Sequence, residues 1–558
     1  MRRALGLSPL LLLLAAQPAP AQPEESAGER EEGTATAPEA EPAAATGTAA
    51  GAAAAPATGS ATESAAAPAA GSETGTATAA ERRSFGEALS EAAGGPVELG
   101  TPGPDYSDPV PPPTDASVGR TAARPREGFA FGSYGRIIIG TDLEGSSPRP
   151  VSVVAHGSRV VEPTYLELDL YYRLAARNDI DLTTVTTLAF GDRLFHLTGE
   201  FDAAVALRNF YLEAEKRLAG GALGLWAGSR MYRGDDIYLL DYWPLDDVNT
   251  VGGGAWFRRD RLEVGVHGGL NRLLDPFQFQ ERDVFSPEDG AETIPELDRQ
   301  RYIASAKGSY RVFGPASGGA ALKVKGYAEM QALPSGQRRR EDDSVEELPS
   351  DLGWTLGAQL GAWGFAHGQS HVNLFLRASR GLTAYDELDP PMDVSADKKS
   401  YPGASELVLG LSGNLEIPEG GVLIGAYTRR FRDADPSSAD LDDGWEYVVD
   451  ARPRVRVVDA LEAALDVSWQ VRFPRGLSAT ELMAADPAVF QIAPMAIYSP
   501  FGPGSYARPQ FRLVYAAAHL NAAARDHLYP LDDPRRGRTW VHFLGLQAEW
   551  WFNSTYRQ

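Results

Sequence analysis

The chain has 558 residues with 75 acidic and 52 basic side chains, a net charge of −23 at pH 7, and no cysteine. This negative charge argues against nucleic acid as a partner, because a basic surface is needed to release phosphate counterions. The lack of cysteine excludes disulfides, a lipoprotein anchor and thiol chemistry. Beyond the first residues there is no stretch of about 20 apolar residues, so the chain can cross a bilayer only with strands.

The first residues follow the pattern of a secretory signal peptide. Met1-Arg-Arg3 is followed by an apolar stretch from Leu10 to Ala16 and by the small residues Ala19-Pro-Ala21. This order of a charged, an apolar and a small-residue zone predicts export from the cytoplasm and cleavage after residues 1–21.

A low-complexity segment follows the predicted signal peptide. Residues 22–127 are rich in Ala, Thr, Glu, Gly and Pro, as in TGTAAGAAAA at residues 46–55, and offer almost nothing from which to build a core. The run Pro109-Val-Pro-Pro-Pro113 indicates a stiff linker. We therefore expect a disordered periplasmic extension, for which contact with peptidoglycan is one possible role.

From residue 128 onward, short segments of alternating apolar and polar residues are separated by Gly, Pro and Asp clusters. In YLELDLY at residues 165–171 the leucines occupy one face, and residues 465–473 (LDVSWQVRF) repeat the pattern. A soluble β-sandwich also alternates, but its polar faces would not so regularly carry Arg and aromatic side chains opposite Leu and Val. The repeated alternation therefore favours a membrane β-barrel.

The last strand predicted from the sequence, residues 544–552, has the form of a strand that closes such a barrel. One face is apolar and suits lipid, whereas the other is more polar and suits a lumen. The apolar face carries Leu544, Leu546, Ala548, Trp550 and Phe552, and the other face carries Gln547, Glu549 and Trp551.

Several segments resemble the maltoporin family of carbohydrate-selective porins. Residues 225–243 (LWAGSRMYRGDDIYLLDYW) are similar to the strand that leads into the family's inward-folded third loop. Residues 131–136 (FGSYGR) resemble its opening strand, residues 162–168 (EPTYLEL) its second strand, and residues 507–512 with 544–552 its last two strands.

The resemblance implies an all-β fold, an 18-stranded antiparallel transmembrane β-barrel over residues 128–552 with a short tail at 553–558. It implies a location in the bacterial outer membrane, contact with membrane lipid, a homotrimeric assembly, and passive diffusion of maltodextrins or other oligosaccharides. No enzyme activity, cofactor or metal is expected. Sucrose-type relatives also carry an N-terminal extension.

A sugar ring presents C–H groups on its faces and hydroxyls around its edge, so a sugar channel needs aromatic planes and forked charged groups. The resemblance places Tyr134, Tyr165 and Trp551 on the family's spiral of pore-lining aromatics, the aromatic slide, with Tyr302 and Tyr447 as loosely placed further members. The alternative is that these residues are ordinary interfacial aromatics of the barrel girdle.

A second set of residues matches the family's polar track along the constriction, where guanidinium and carboxylate groups pair with sugar hydroxyls. The alternative for this set is a generic electrostatic network of the lumen. Gly234 stands where the family has a further arginine, and Trp243 stands at the position of the constricting tyrosine, which implies a bulkier, less polar waist. The track residues are Arg136, Glu167, Arg208, Asp236 and Asp241, with Arg230 beside them and Arg159 as a further candidate.

Three other functions remain open at this stage. If the changed waist alters selectivity, the barrel is a porin for another solute, such as a charged oligosaccharide, or a general diffusion porin. An outer-membrane hydrolase would need clustered Ser, His and Asp residues at the rim, and scattered histidines such as His371 and His519 give no such pattern. A purely structural barrel would anchor the extension.

Overall fold

The computed structural model describes residues 128–177, 179–195, 202–271, 279–286, 290–297, 300–314, 320–339, 344–385, 403–432, 443–475, 486–525 and 536–554. The predicted signal peptide and extension lie outside these residues, as do the last four residues of the predicted tail. No helix long and apolar enough to cross a membrane occurs in the part of the chain that is described.

The described residues contain 22 strands, whose bounds are as follows. They are β1 (Gly128–Thr141), β2 (Tyr165–Arg177), β3 (Ile180–Arg193), β4 (Asp202–Leu218), β5 (Gly221–Arg233), β6 (Asp247–Arg259), β7 (Leu262–Asn271), β8 (Phe279–Ser286), β9 (Gly290–Leu297), β10 (Arg301–Phe313), β11 (Ala321–Leu333), β12 (Gly336–Arg339), β13 (Val345–Leu348), β14 (Asp351–Trp363), β15 (His367–Arg380), β16 (Ser405–Ile417), β17 (Gly420–Arg432), β18 (Gly444–Val458), β19 (Leu461–Pro474), β20 (Ala488–Tyr498), β21 (Gln510–Leu520) and β22 (Trp540–Phe552).

Eighteen of these strands form one closed sheet, and β8 with β9 and β12 with β13 form two separate hairpins. Each strand of the sheet pairs antiparallel with the next one along the chain, and β1 pairs antiparallel with β22. Closure places Tyr134 opposite Trp551 and Arg136 opposite Glu549. The prediction of an 18-stranded antiparallel barrel is confirmed.

The barrel is apolar outside and polar inside, as strand β14 shows. Leu352 and Leu356 point outward and are 55% and 56% exposed, whereas Thr355 and Gln359 point inward and are buried. An outward row of large apolar side chains fits a hydrocarbon surrounding, and the buried polar side chains fit a lumen.

The two ends of the barrel differ in the length of their connections. Residues 219–220, 260–261, 418–419 and 459–460 form two-residue turns at one end, the end at which β1 begins and β22 ends. The opposite end carries the longer loops. In outer-membrane barrels the short turns face the periplasm and the long loops face the exterior, which orients the chain.

The outward leucines of β14 allow a test of how the barrel lies in the bilayer. Leu356 lies near the middle of the strand and Leu352 near its outer end. We expect Leu356→Arg to lower the free energy of unfolding by about 2–4 kcal/mol, and the matched change Leu352→Arg by about 0–1 kcal/mol, since the cost of a charge falls toward the interface. Urea unfolding of the protein refolded in vesicles measures both, and equal costs would contradict this placement.

Candidate functional site

Among the connections that the structure describes in full, three turn back into the lumen. They are residues 142–164 between β1 and β2 (loop 1), residues 234–246 between β5 and β6 (loop 3), and residues 499–509 between β20 and β21 (the β20–β21 turn). The N–H of Arg159 in loop 1 donates to the carbonyl oxygen of Leu239 in loop 3 at 2.8 Å, so the two loops are joined through their backbones.

Loop 3 is a compact hairpin closed by local backbone geometry. A 3-10 turn, Tyr238–Leu240, is followed by Asp241 in the left-handed conformation with φ 50°. The N–H of Ile237 donates to the carbonyl oxygen of Tyr242 at 2.7 Å, which closes the hairpin. Aspartate tolerates the left-handed region better than most residues. The turn fixes the directions of Tyr238 and Asp241.

The three well-placed aromatics of the predicted slide lie together on adjacent strands. The Tyr134 and Trp551 rings are stacked at 6.5 Å between centroids with 20° between planes, and Tyr165 lies 6.1 Å from Tyr134. Tyr134 and Trp551 are buried, whereas Tyr165 keeps part of its surface exposed. The three rings therefore form one row whose exposed member is Tyr165.

Tyr302 and Tyr447 do not join this row. Tyr302 is 51% exposed on the outer face of β10, while its neighbours Arg301 and Ile303 face inward and are buried. Tyr447 stacks on Trp445 of the same outer face of β18, with ring centroids 6.0 Å apart. Both positions agree with the alternative interpretation, aromatic side chains on the lipid-facing surface.

Beside the aromatic row, Arg136 and Asp241 are held in a network with loop 1. Nη1 of Arg136 donates to Oε1 of Glu162 at 2.7 Å and to Oδ2 of Asp241 at 3.4 Å. Arg159 lies within 3.5 Å of Asp241 through Nη1 and donates to Oε2 of Glu162 at 2.7 Å. The guanidinium carbon of Arg136 lies 5.5 Å from the centre of the Tyr165 ring.

Arg208 and Glu167 form the second predicted polar pair next to Tyr165. Nη1 of Arg208 donates to Oε1 of Glu167 and to the Tyr165 hydroxyl, the latter at 2.5 Å. The same hydroxyl donates to Oε1 of Glu167 at 2.6 Å. The guanidinium carbons of Arg136 and Arg208 thus both lie near the Tyr165 ring, 5.5 and 6.0 Å from its centre.

Of the remaining predicted residues, Trp243 belongs to the same buried cluster as Tyr134 and Trp551, whereas Arg230 and Asp236 have other surroundings. Nη1 of Arg230 donates to Glu213 at 2.9 Å, and its guanidinium carbon lies 4.7 Å from the centre of the Tyr211 ring. Trp243 is buried in loop 3, where the guanidinium carbon of Arg233 lies 3.8 Å from the centre of its ring. Asp236 is also buried in loop 3.

Glu549 on the closing strand holds all three inward segments together. Its carboxylate accepts hydrogen bonds from Arg159 of loop 1 at 3.3 Å, from Tyr238 of loop 3 at 3.0 Å and from Arg508 of the β20–β21 turn at 2.7 Å. Arg512 of β21 donates a further bond at 2.6 Å. Glu549 is buried, so these donors replace its water shell.

The alternation of β22 directs Glu549 into the lumen, but no local pattern reveals its role. Its partners are separated from it by 37 to 390 residues along the chain. Arg508, Arg512 and Tyr238 were present in segments that resemble the maltoporin family, yet the resemblance assigned them no role. These contacts follow from barrel closure and loop folding.

Where loop 3 joins the barrel wall, Asp235 and Asp246 pair with lysines of β10 and β11. These side chains leave no room for a Cβ atom at Gly234. A Cβ atom at Gly234 would lie 2.0 Å from Oδ1 of Asp246 and 2.6 Å from Nζ of Lys325. Nζ of Lys307 donates to Oδ2 of Asp246 at 2.9 Å. Burial alone would raise the pKa of Asp246, but Lys307 and Lys325 outweigh it and hold the pKa below its ordinary value of 3.8.

The arrangement supplies aromatic faces, guanidinium donors and carboxylate acceptors, the groups that hold hydroxylated solutes by stacking and hydrogen bonding. Across the described ranges, no group of three or more His, Asp or Glu side chains is placed to hold a metal ion.

Comparison with known proteins gives one family and several distant structures. A model of the LamB porin family matches residues 129–552. OccD3 (OpdP) of Pseudomonas aeruginosa is similar at 11% identity and a TM-score of 0.37, over 81% of this chain and 99% of that chain. Among curated protein sequences no significant match is found.

Two further solved structures show similarity of the same order. A BenF-like porin from Pseudomonas fluorescens Pf-5 has 10% identity and a TM-score of 0.36, over 76% of this chain and 97% of that chain. OccK2 (OpdF) of Pseudomonas aeruginosa, solved in complex with glucuronate, has 11% identity and a TM-score of 0.35, over 76% of this chain and 97% of that chain.

Removing the charge of Glu549 should destabilise the lumen network. In Glu549→Gln the buried Arg159, Arg508 and Arg512 lose their shared anion, and we expect the free energy of unfolding to fall by about 3–5 kcal/mol. Glu144→Gln, which removes a half-exposed carboxylate paired with Arg538, should change it by at most about 1 kcal/mol. Urea unfolding in vesicles compares the two, and equal effects would contradict the role of Glu549.

The lysine contacts of Asp246 predict a pH dependence of loop 3. Because its pKa is lowered in the folded protein, the stabilisation is fully present above 3.8 and is lost as the pH falls through the lowered pKa. The difference in unfolding free energy between the native protein and Asp246→Asn should therefore shrink below this pH. Urea unfolding from about pH 6 to about pH 2 measures it, and a constant difference would exclude this linkage.

Proposed function

The chain belongs to the LamB porin family, and we propose that it is a sugar-selective channel through which oligosaccharides such as maltodextrins diffuse passively. It is a porin of the bacterial outer membrane, given the family and the closed 18-stranded barrel. Family and fold point to a channel and not to an enzyme. The observation that carries the sugar proposal is the partly exposed Tyr165 ring, whose centre lies 5.5 and 6.0 Å from the guanidinium carbons of Arg136 and Arg208.

The groups around Tyr165 match the two chemical surfaces of a sugar ring. The partly exposed aromatic ring suits the C–H face of the sugar, and an apolar contact of this kind does not select among ring hydroxyls. Arg136, Arg208 and Asp241 lie beside the ring and offer N–H donors and carboxylate oxygens to the hydroxyls at the sugar's edge. Stacking and hydrogen bonding at one place favour a hydroxylated ring over a simple ion.

The polar groups beside Tyr165 already pair with one another, so they bind a solute weakly and allow it to pass rapidly. Arg136 pairs with Glu162 and Asp241, whose side chains are 16%, 20% and 28% exposed. The pairing limits the cost of leaving charges in a narrow lumen, while the exposed atoms remain able to exchange bonds with a passing solute. Paired charges of both signs favour a neutral solute.

Two differences from the family pattern bear on which sugar passes. Trp243 packs beneath Arg233 in loop 3, and Gly234 leaves room for Asp246 and Lys325. We infer a waist with its own size and polarity, so the preferred chain length differs from that of maltoporins. A homotrimeric assembly, a cleaved signal peptide and a contact of the extension with peptidoglycan belong to the same proposal.

Single-channel conductance of the purified protein in a planar bilayer tests the sugar proposal. We expect saturable block of the current by a neutral sugar when maltodextrins, sucrose and a charged oligosaccharide are titrated separately. Tyr165→Ala should weaken this block about tenfold, since an aromatic contact contributes about 1 kcal/mol or more. Tyr165→Phe keeps the ring and should retain most of the block.

Outward tyrosines provide the matched controls for this experiment. Tyr302→Ala and Tyr447→Ala each remove a ring of the same kind from the outer face and should leave the block unchanged. Block by the charged oligosaccharide alone would indicate a porin for another solute. A large conductance that no sugar blocks would indicate a general diffusion porin, and either result would overturn the sugar proposal.

A further inference from the structure

The β20–β21 turn is unusual among the connections at the periplasmic end. It comprises residues 499–509, whereas the neighbouring turns at 418–419 and 459–460 have two residues each. Gly502 and Gly504 adopt φ values of 114° and 157°, in the region that favours glycine. The chain therefore bends inward here instead of passing directly to the next strand.

The inserted turn is bound to the wall of the lumen on the side of β16 and β18. The Ser505 hydroxyl donates to Oδ1 of Asn414 at 2.8 Å and accepts a hydrogen bond from Nε of Arg454 at 3.0 Å. The N–H of Ser505 donates to Oε1 of Glu416 at 3.1 Å. Ser505 is buried, so these bonds form in a site from which water is excluded.

Tyr506 and Arg508 connect the turn to β15, to β22 and to loop 3. The Tyr506 ring lies 5.9 Å from the His371 ring of β15, with 24° between planes, and 5.4 Å from the Tyr238 ring of loop 3. The guanidinium carbon of Arg508 lies 3.8 Å from the centre of the Trp551 ring of β22. The turn thus reaches strands from β15 to β22 directly beneath loop 3.

The lumen-facing charges near the periplasmic end differ in exposure between the two halves of the barrel. Under the turn, the Arg454 and Glu462 side chains are 4% and 1% exposed. On β6 and β7, the Arg258 and Glu263 side chains are 33% and 35% exposed. Both pairs join inward-facing residues of adjacent strands, so the difference follows from the turn that covers one of them.

We propose that the β20–β21 turn closes the periplasmic side of the lumen against β15–β22, so that solutes leave along β4–β10. Tyr506 is then a specificity-determining residue, because its ring fills the space between β15 and loop 3 and sets the width of the exit. The exit path carries the Glu213–Arg230 pair and Lys307, which keep 19–25% of their side-chain surfaces exposed. This inference requires a channel, which the family supplies, and holds whatever solute passes.

Thiol labelling tests the proposal cleanly because the chain has no cysteine. Two serines at similar depth are replaced: Ser309→Cys on β10, where Ser309 lies opposite Glu263 and is partly exposed, and Ser412→Cys on β16. Ser412 is buried and is the next residue on the same face of β16 after Asn414, which accepts the hydrogen bond from Ser505 of the turn. Methanethiosulfonate ethylsulfonate is added to the periplasmic chamber of a planar bilayer. We expect the current of Ser309→Cys to fall, and that of Ser412→Cys to stay constant.

Removing the Tyr506 ring from the β20–β21 turn should then expose the thiol at residue 412. In Ser412→Cys with Tyr506→Ala, the labelling rate should rise at least tenfold and the unlabelled channel should conduct more. Phe501→Ala removes an exposed ring of the same turn, 53% exposed, and should change neither quantity. His371→Ala, which removes the other ring from the Tyr506 contact, serves as the second variant if Tyr506→Ala does not refold.

Two outcomes would overturn the proposal. Equal labelling of Ser309→Cys and Ser412→Cys in the native turn would show that the covered half is open to the periplasm. If the thiol at residue 412 is not labelled in either Tyr506→Ala or His371→Ala, the turn is not what covers it. Neither readout depends on sugar, so failure of the sugar block and failure of this proposal are separate results.

Discussion

The lumen of this barrel is organised around the Glu549 carboxylate. Arg159, Arg508 and Arg512 donate to it from loop 1, the β20–β21 turn and β21, and Tyr238 donates from loop 3. A buried carboxylate is costly without partners, and so is each buried guanidinium. The three inward segments therefore converge on one position of the strand that closes the barrel, and the constriction and the closure of the sheet depend on each other.

In a barrel whose outer face is apolar, many polar side chains are buried inside and need partners. The outer face contacts lipid, and the interior is held by ion pairs and hydrogen bonds together with a buried apolar cluster that includes Val153 of loop 1, Ile237 of loop 3 and Val448 of β18. Arg136 and Asp241 join loop 1 and loop 3 to the wall and also lie beside the exposed Tyr165 ring. The groups that hold the two loops in place are thus the groups that we propose to contact a solute, so the proposal couples stability to selectivity.

The three inward segments make the lumen asymmetric. Loop 1, loop 3 and the β20–β21 turn pack against the side formed by β15–β22, as the contacts of His156 with Tyr427 and Tyr506 with His371 and the shared apolar cluster of Leu239 and Leu423 show. Partly exposed charges lie on the other side, from β1 to β10. The predicted aromatic row lies where the two sides meet, with Tyr165 partly exposed and Trp551 buried behind the packed segments.

Sequence alone determined the strand character and the facing of individual residues, because alternation with a period of two is set between neighbours in the chain. It directed Tyr165, Glu167, Glu549 and Trp551 inward, and the family resemblance supplied the number of strands. Tyr302 and Tyr447 were placed only by a loose resemblance, and the register of β10 and β18 turns both outward. The contacts of Glu549 and the insertion of the β20–β21 turn were decided by tertiary structure, since they join residues up to 390 positions apart that only barrel closure brings together.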